Sequence, residues 1–114
     1  DLLDALKHVG FDLEPIPCGC ENLLHQEREQ WTSGANFFTL APGKIVGYGR
    51  NVRTYQELNK RGFEIIRLPD LRSGAKTIQE YDKCVVSIEG AELSRGGGGC
   101  RCMTLPVKRE EVSF

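Results

Sequence analysis

The sequence predicts an α/β fold whose clearest unit is a hairpin, a helix and a returning strand within residues 37–68. Phe37 to Leu40 and Ile45 to Tyr48 are strand-like runs on either side of Pro42-Gly43, a pair that suits the corners of a type II turn. Thr54 and Glu57 have the spacing of a capping box and open a helical stretch that buries Tyr55 and Leu58. Gly62 closes that stretch, and Phe63, Ile65, Ile66 and Leu68 form the returning strand.

The flanking elements are shorter. Leu2, Leu3, Leu6 and Val9 follow helical spacing, and Gly10 is placed to stop that helix. Phe11 and Leu13 alternate with Asp12 and Glu14, which reads as a short strand ending at Pro15 and Pro17. After a turn at Cys18-Gly19-Cys20, Asn22 is a cap for a second helix in which Leu24, Arg28 and Trp31 share one face, with Trp31 as its aromatic anchor. Thr32-Ser33-Gly34 breaks it. Residues 70–83 are polar, with a turn at Ser73-Gly74 and one short helical turn capped by Thr77 and Glu80. Cys84 to Ile88 returns to strand, Gly96 to Gly99 follow Arg95 without interruption, and Met103, Leu105 and Val107 alternate as a final strand ending near Pro106.

Length and composition bound the function. A chain of 114 residues makes about one domain, and 39% hydrophobic with 27% charged residues is ordinary for a folded one. Fifteen basic against sixteen acidic side chains leave a net charge of −1 without a basic stripe, which argues against a nucleic-acid surface. No apolar run approaches the ~20 residues that span a bilayer. Asp1-Leu2-Leu3-Asp4 has neither an initiator Met nor the basic start of a signal peptide. Five cysteines without an export signal point to free thiols in a reducing, cytoplasmic compartment. The expectation is a piece of a longer cytoplasmic protein.

The glycine run calls for a physical reason, because each ordered glycine costs about 0.5–1 kcal/mol in regular structure. A flexible linker is one reason; close backbone approach to a ligand, or a mobile gate, is the other. The run lacks the Lys-Ser/Thr of a phosphate loop. Cys102 follows it directly, beside Arg101, whose guanidinium favours a reactive thiolate. The alternative for Cys102 is a buried structural thiol. On an extended strand Cys100 and Cys102 would face one side, which with Cys18 and Cys20 raises a metal site, although zinc pairs usually have wider spacing. His8 lies on the polar side of the first helix and His25 in a charged stretch, and neither sits in a catalytic motif.

Three stretches together resemble arginine deiminase, of the guanidine-modifying superfamily. The most specific runs from Glu92 through Ser94-Arg95-Gly96-Gly97-Gly98-Gly99-Cys100-Arg101-Cys102 to Pro106; the others are Arg28 to Asn36, followed by Ala41-Pro42-Gly43, and Tyr48-Gly49-Arg50-Asn51. The resemblance implies a partial five-bladed α/β propeller, about one to two strand-strand-helix-strand units, with residues 1–114 as the carboxy-terminal part of the catalytic domain. It implies Cys102 as the nucleophile on the guanidinium carbon of L-arginine, Gly96 as a backbone contact to substrate, citrulline and ammonia as products, and no metal or organic cofactor. The partners implied are the remainder of the catalytic domain and, through uncovered apolar faces, a second copy of the chain. Gly97 and Cys100 depart from the Arg and Pro frequent in the family, and residues 70–83 look like an insertion. The family's catalytic His-x-Asp and the carboxylates that clamp the guanidinium have no match here and belong upstream of residue 1, so the isolated chain is expected to be inactive. Another guanidine-modifying hydrolase or amidinotransferase, or a small Cys-rich metal-binding module, are the competing readings.

Overall fold

The computed structural model describes residues 1–109 and 111. Four helices and four strands follow in the order α1 (Leu2–His8), α2 (Leu23–Trp31), β1 (Phe38–Ala41), β2 (Lys44–Tyr48), α3 (Val52–Lys60), β3 (Glu64–Arg67), α4 (Leu68–Ser73) and β4 (Cys84–Ile88) among the described residues. Single 3₁₀ turns occupy Ile78–Glu80 and Leu93–Gly96. The strands form one mixed sheet in the order β1-β2-β4-β3.

The hairpin forms where the alternation places it. β1 is antiparallel to β2, with Phe38 opposite Val46 and Thr39 opposite Ile45. Gly43 has φ +74°, the conformation that the third position of a type II turn requires. A Cβ there would also stand 2.4 Å from the Asp82 carbonyl oxygen, so the site is glycine for two reasons. β2 and β3 both run parallel to β4, with Ile45 and Ile65 each opposite Val85. Parallel strands need crossovers: α3 makes the one from β2 to β3, and α4 with residues 74–83 the one from β3 to β4. α3 lays Tyr55 and Leu58 on Val85, with Ile16, Phe37, Ile45, Phe63 and Ile65 around them. Period-two alternation turns Ile66, Cys84 and Val86 to the opposite face, where all three are buried. β4 is covered on both faces, as a central parallel strand is.

Helix punctuation follows local chemistry. Asp1 and Asp4 form a capping box on α1, Asn22 accepts from the His25 N–H at the start of α2, and Thr77 with Glu80 forms the expected box. Gly62 has φ +85° just past α3.

Six expectations are corrected. Phe11 and Leu13 pair with no strand and are exposed, and neither alternation nor branching makes a strand without a partner backbone. Met103 to Val107 likewise form no strand; Leu105 and Val107 are exposed. Cys100 and Cys102 do not share the side of an extended strand, because residues 100–103 form a turn closed by the Thr104 N–H on the Arg101 carbonyl (3.0 Å). α2 buries Glu29, while Leu24 and Trp31 lie on the solvent side, Trp31 at 83% exposure. Thr54 is inside α3 rather than at its cap: the helix starts after Asn51, whose side chain makes no cap bond. Leu68, expected to end β3, instead starts α4, stopped by Gly74 at φ +74°.

The corrections to α2 and α3 have one cause. The Glu29 carboxylate accepts from the Arg53 N–H (2.8 Å), the Thr54 N–H (2.8 Å) and the Thr54 hydroxyl (2.7 Å). Those N–H groups belong to the first turn of α3, where no intrahelical acceptor exists and negative charge is favoured. A carboxylate from α2 therefore caps α3, and this contact, rather than an aromatic anchor, sets which face of α2 points inward. Thr32 donates to the Asn51 side-chain oxygen, and the Asn51 amide donates to the carbonyls of Thr32 (3.1 Å) and Tyr48 (3.3 Å). The buried polar network ties α2, the end of β2 and the start of α3 together.

Candidate functional site

The site is built around Cys102 from two chain segments far apart in sequence. After α2 the chain turns through Ser33, at φ +60°, and Gly34, whose N–H donates to the Glu29 carbonyl at 2.7 Å. A Cβ on Gly34 would stand 2.7 Å from the Cys18 sulfur and 2.9 Å from that carbonyl oxygen. The Asn36 N–H closes the turn on the Ser33 carbonyl (3.1 Å). The Glu29 network thus fixes where Asn36 stands.

The second segment is the glycine run, and its composition has local causes. Gly97 and Gly98 have φ of +79° and +90°, in the left-handed region that side chains disfavour. A Cβ on Gly99 would stand 2.5 Å from the Asn36 Cβ, and one on Gly98 would stand 3.0 Å from the Cys102 Cβ. Close approach and backbone conformation therefore explain three of the glycines. Gly96 differs: it ends a 3₁₀ turn, is exposed, and a Cβ there would meet nothing within 4 Å.

Arg50 and Tyr48 brace the segment from the sheet. The Arg50 guanidinium donates to the Ala91 carbonyl (2.8 Å) and the Ser94 hydroxyl (3.2 Å). Gly90 lies against the Tyr48 ring, where a Cβ would stand 2.4 Å from a ring carbon, and the Tyr48 hydroxyl reaches the Met103 sulfur at 3.6 Å. The Tyr48-to-Asn51 stretch accordingly links the hairpin end to both sides of the glycine run.

Asn36 meets the turn at two points. Its Nδ2 donates to the Cys102 Sγ at 2.9 Å, and its Oδ1 accepts from the Arg101 N–H at 3.1 Å. The Cys102 thiol is exposed and held below the ordinary cysteine range, chiefly by the Gly99 backbone N–H and next by the Asn36 amide. Desolvation opposes this and the Arg101 charge adds to it. Burial pushes the Cys100 thiol the other way. Two cysteines two positions apart are thus biased in opposite directions, the accessible Cys102 toward ionisation and the buried Cys100 away from it.

Neither histidine is placed at Cys102: His8 is exposed on α1, His25 is half-buried on α2, and among the described residues Asn36 is the side-chain partner of the sulfur. All five cysteines are free. Among the described residues no three His, Cys, Asp or Glu side chains are grouped to hold a metal, so Cys18, Cys20, Cys100 and Cys102 do not make a ligand set. No helix among them is long and apolar enough to cross a membrane. A cavity of about 640 Å³ lined by Cys18, Gln30 and Asn36 adjoins the site. Sequence reasoning singled out Cys102 and Gly96 but not Asn36 or Glu29. Asn36 lies in the Arg28–Asn36 stretch, yet nothing local in that stretch reveals a partner 66 residues away.

Residues 2–109 match the family model described as arginine deiminase. An arginine deiminase of Streptococcus agalactiae serotype V is 38% identical over 114 residues, covering 98% of this chain and 23% of that protein. One from Streptococcus gordonii is 39% identical, with the same two coverages of 98% and 23%. One from Borrelia garinii subsp. bavariensis is 34% identical over 112 residues, covering 97% of this chain and 22% of the relative. The chain therefore spans less than a quarter of the length of the curated relatives it matches.

Proposed function

The chain belongs to the arginine deiminase family, and from that membership we propose that it is the carboxy-terminal part of an enzyme that hydrolyses L-arginine to citrulline and ammonia. Cys102 is the nucleophile in this reading. The single observation that supports it most is the state of the Cys102 thiol: exposed, lowered toward thiolate, and fixed in a turn by Asn36. Its sulfur lone pair attacks the guanidinium carbon, and the resulting tetrahedral adduct expels a protonated nitrogen as ammonia. Water then adds to the amidinium carbon of the thioether-linked adduct, the C–S bond breaks, and citrulline leaves with the thiolate restored. The uncrowded Gly96 backbone is the substrate contact from this chain. A guanidinium must be oriented by carboxylates before attack; those carboxylates, and the general acid/base, come from the remainder of the catalytic domain. The isolated 114 residues accordingly do not turn over.

The same reading gives the architecture. β1, β2, α3 and β3 follow in the strand-strand-helix-strand order of a blade of a five-bladed α/β propeller, with β4 lying between β2 and β3 in the sheet. Leu24 at 70% and Trp31 at 83% exposure lie on a face that the rest of the catalytic domain, or a second copy of the chain, covers. The enzyme works in the cytoplasm, where its thiols stay reduced.

The test is citrulline production by the complete protein with Cys102→Ala and Cys100→Ala substitutions, each checked for folding. Cys102→Ala abolishes turnover. Cys100→Ala retains at least about a tenth of kcat/KM, a loss below ~1.4 kcal/mol of transition-state stabilisation. A folded Cys102→Ala protein with unchanged turnover would refute the assignment, and wild-type turnover of a guanidine without citrulline would assign a different reaction.

A further inference from the structure

We propose that Asn36 is the positioning residue for the Cys102 nucleophile, its amide performing two separable tasks: Nδ2 donates to the sulfur while Oδ1 anchors the turn through the Arg101 N–H. The role rests on the reading of Cys102 as the attacking group. Three observations on the geometry carry it. Both contacts are within hydrogen-bond range, at 2.9 and 3.1 Å, and they use both ends of one amide. Gly99 leaves no room for a Cβ beside Asn36, where it would stand 2.5 Å from the Asn36 Cβ, so the loop is shaped to bring the two segments into contact. Asn36 is itself held by the Ser33 turn and, through Gly34, by the Glu29 carbonyl.

The physical consequence is specific. A thiolate accepts hydrogen bonds and a thiol accepts them only weakly, so a fixed N–H aimed at sulfur favours the ionised form. The anchor at Arg101 keeps that sulfur in place while substrate enters. An asparagine supplies donor and acceptor at the required separation. Aspartate keeps the acceptor and loses the donor, and leucine loses both at nearly constant volume.

Those two variants, Asn36→Asp and Asn36→Leu, separate the tasks. In the complete protein, the rate of Cys102 alkylation by iodoacetamide is followed against pH by mass spectrometry, together with hydrogen exchange at the Arg101 amide. Both variants shift the alkylation midpoint upward by about one pH unit, a tenfold loss of thiolate at neutral pH. The rate falls only about threefold there, because the more basic thiolate is the better nucleophile. Arg101 exchange accelerates in Asn36→Leu and stays protected in Asn36→Asp. With L-arginine, kcat falls at neutral pH and recovers as pH rises, with KM little changed. An Asn36→Leu protein that keeps the wild-type alkylation midpoint, or that protects the Arg101 amide as the wild type does, overturns the proposal. Alkylation needs no turnover, so a protein that shows these shifts but yields no citrulline contradicts the proposed reaction and leaves the positioning role standing.

Discussion

Removing the Glu29 carboxylate destabilises the chain at a place remote from the sheet core. The perturbation is Glu29→Ala, with Glu29→Gln as its near-isosteric partner. Glu29 is 6% exposed and accepts three hydrogen bonds of 2.7–2.8 Å, two from first-turn amides of α3 and one from the Thr54 hydroxyl. A hydrogen bond to a charged group contributes about 1.5–3 kcal/mol, and losing a helix cap costs about 0.5–2 kcal/mol. The bonds share one carboxylate and are not additive, so alanine costs about 3–5 kcal/mol. Glutamine keeps one acceptor but sets an N–H against a donor, and costs about 2 kcal/mol. Domains of this size have only about 5–15 kcal/mol in total. With a urea m-value of roughly 1–3 kcal/mol per molar, the alanine variant unfolds at a midpoint lower by about 2 M. Urea titration followed by circular dichroism measures that shift, and hydrogen exchange at the Arg53 and Thr54 amides locates it. A loss below ~1 kcal/mol with unchanged exchange at those two amides would show that the carboxylate does not cap α3.

Other perturbations read different parts of the structure. Gly99→Ala drives a methyl to 2.5 Å from the Asn36 Cβ, so the loop must shift; Cys102 alkylation at neutral pH slows severalfold while global stability falls by less than about 2 kcal/mol, measured by urea titration. Tyr55 is buried, and among the described residues its hydroxyl has no partner in hydrogen-bond geometry, the Ser87 side chain being its polar neighbour; Tyr55→Phe stabilises the chain by about 1 kcal/mol, and a loss of that size in urea titration would show that Ser87 is a partner. The Glu57 carboxyl is held below the usual carboxylate range by Lys60 and then Arg61. Its folded pKa is depressed, so its contribution is full above the unfolded value of about 4.3 and is lost as pH falls through the folded one. Glu57→Gln therefore loses less stability than wild type on acidification below about pH 4, and equal acid sensitivity would refute the ion pairing.

The parts legible in the sequence were those decided by neighbours along the chain. The 37–68 hairpin, helix and strand rest on period-two alternation, a Pro-Gly turn and the punctuation of Gly62, all local. The place of β4 between β2 and β3 was not legible, because register between distant strands leaves no mark within any of them. Phe11–Leu13 and Met103–Val107 carry the alternation of strands without a partner to pair with. α2 misled for a different reason: its inward face is polar, so Trp31 and Leu24 stood out while Glu29, the residue that anchors the helix, did not. At the site, the glycine run and Cys102 were visible, and the resemblance connected them to guanidine chemistry. Asn36 could not be found this way, since its task exists only once the Glu29 network has folded the Ser33 turn against Gly99.

The central claim is that Cys102 performs covalent chemistry on arginine in the complete protein. Acid quenching during turnover of L-arginine, followed by peptide mass mapping, tests it most directly. A substrate-derived adduct is expected on the peptide containing Cys102, localised by fragmentation to that sulfur and absent from Cys102→Ala. An adduct on Cys100 or Cys18, or arginine turnover by folded Cys102→Ala protein, would contradict it.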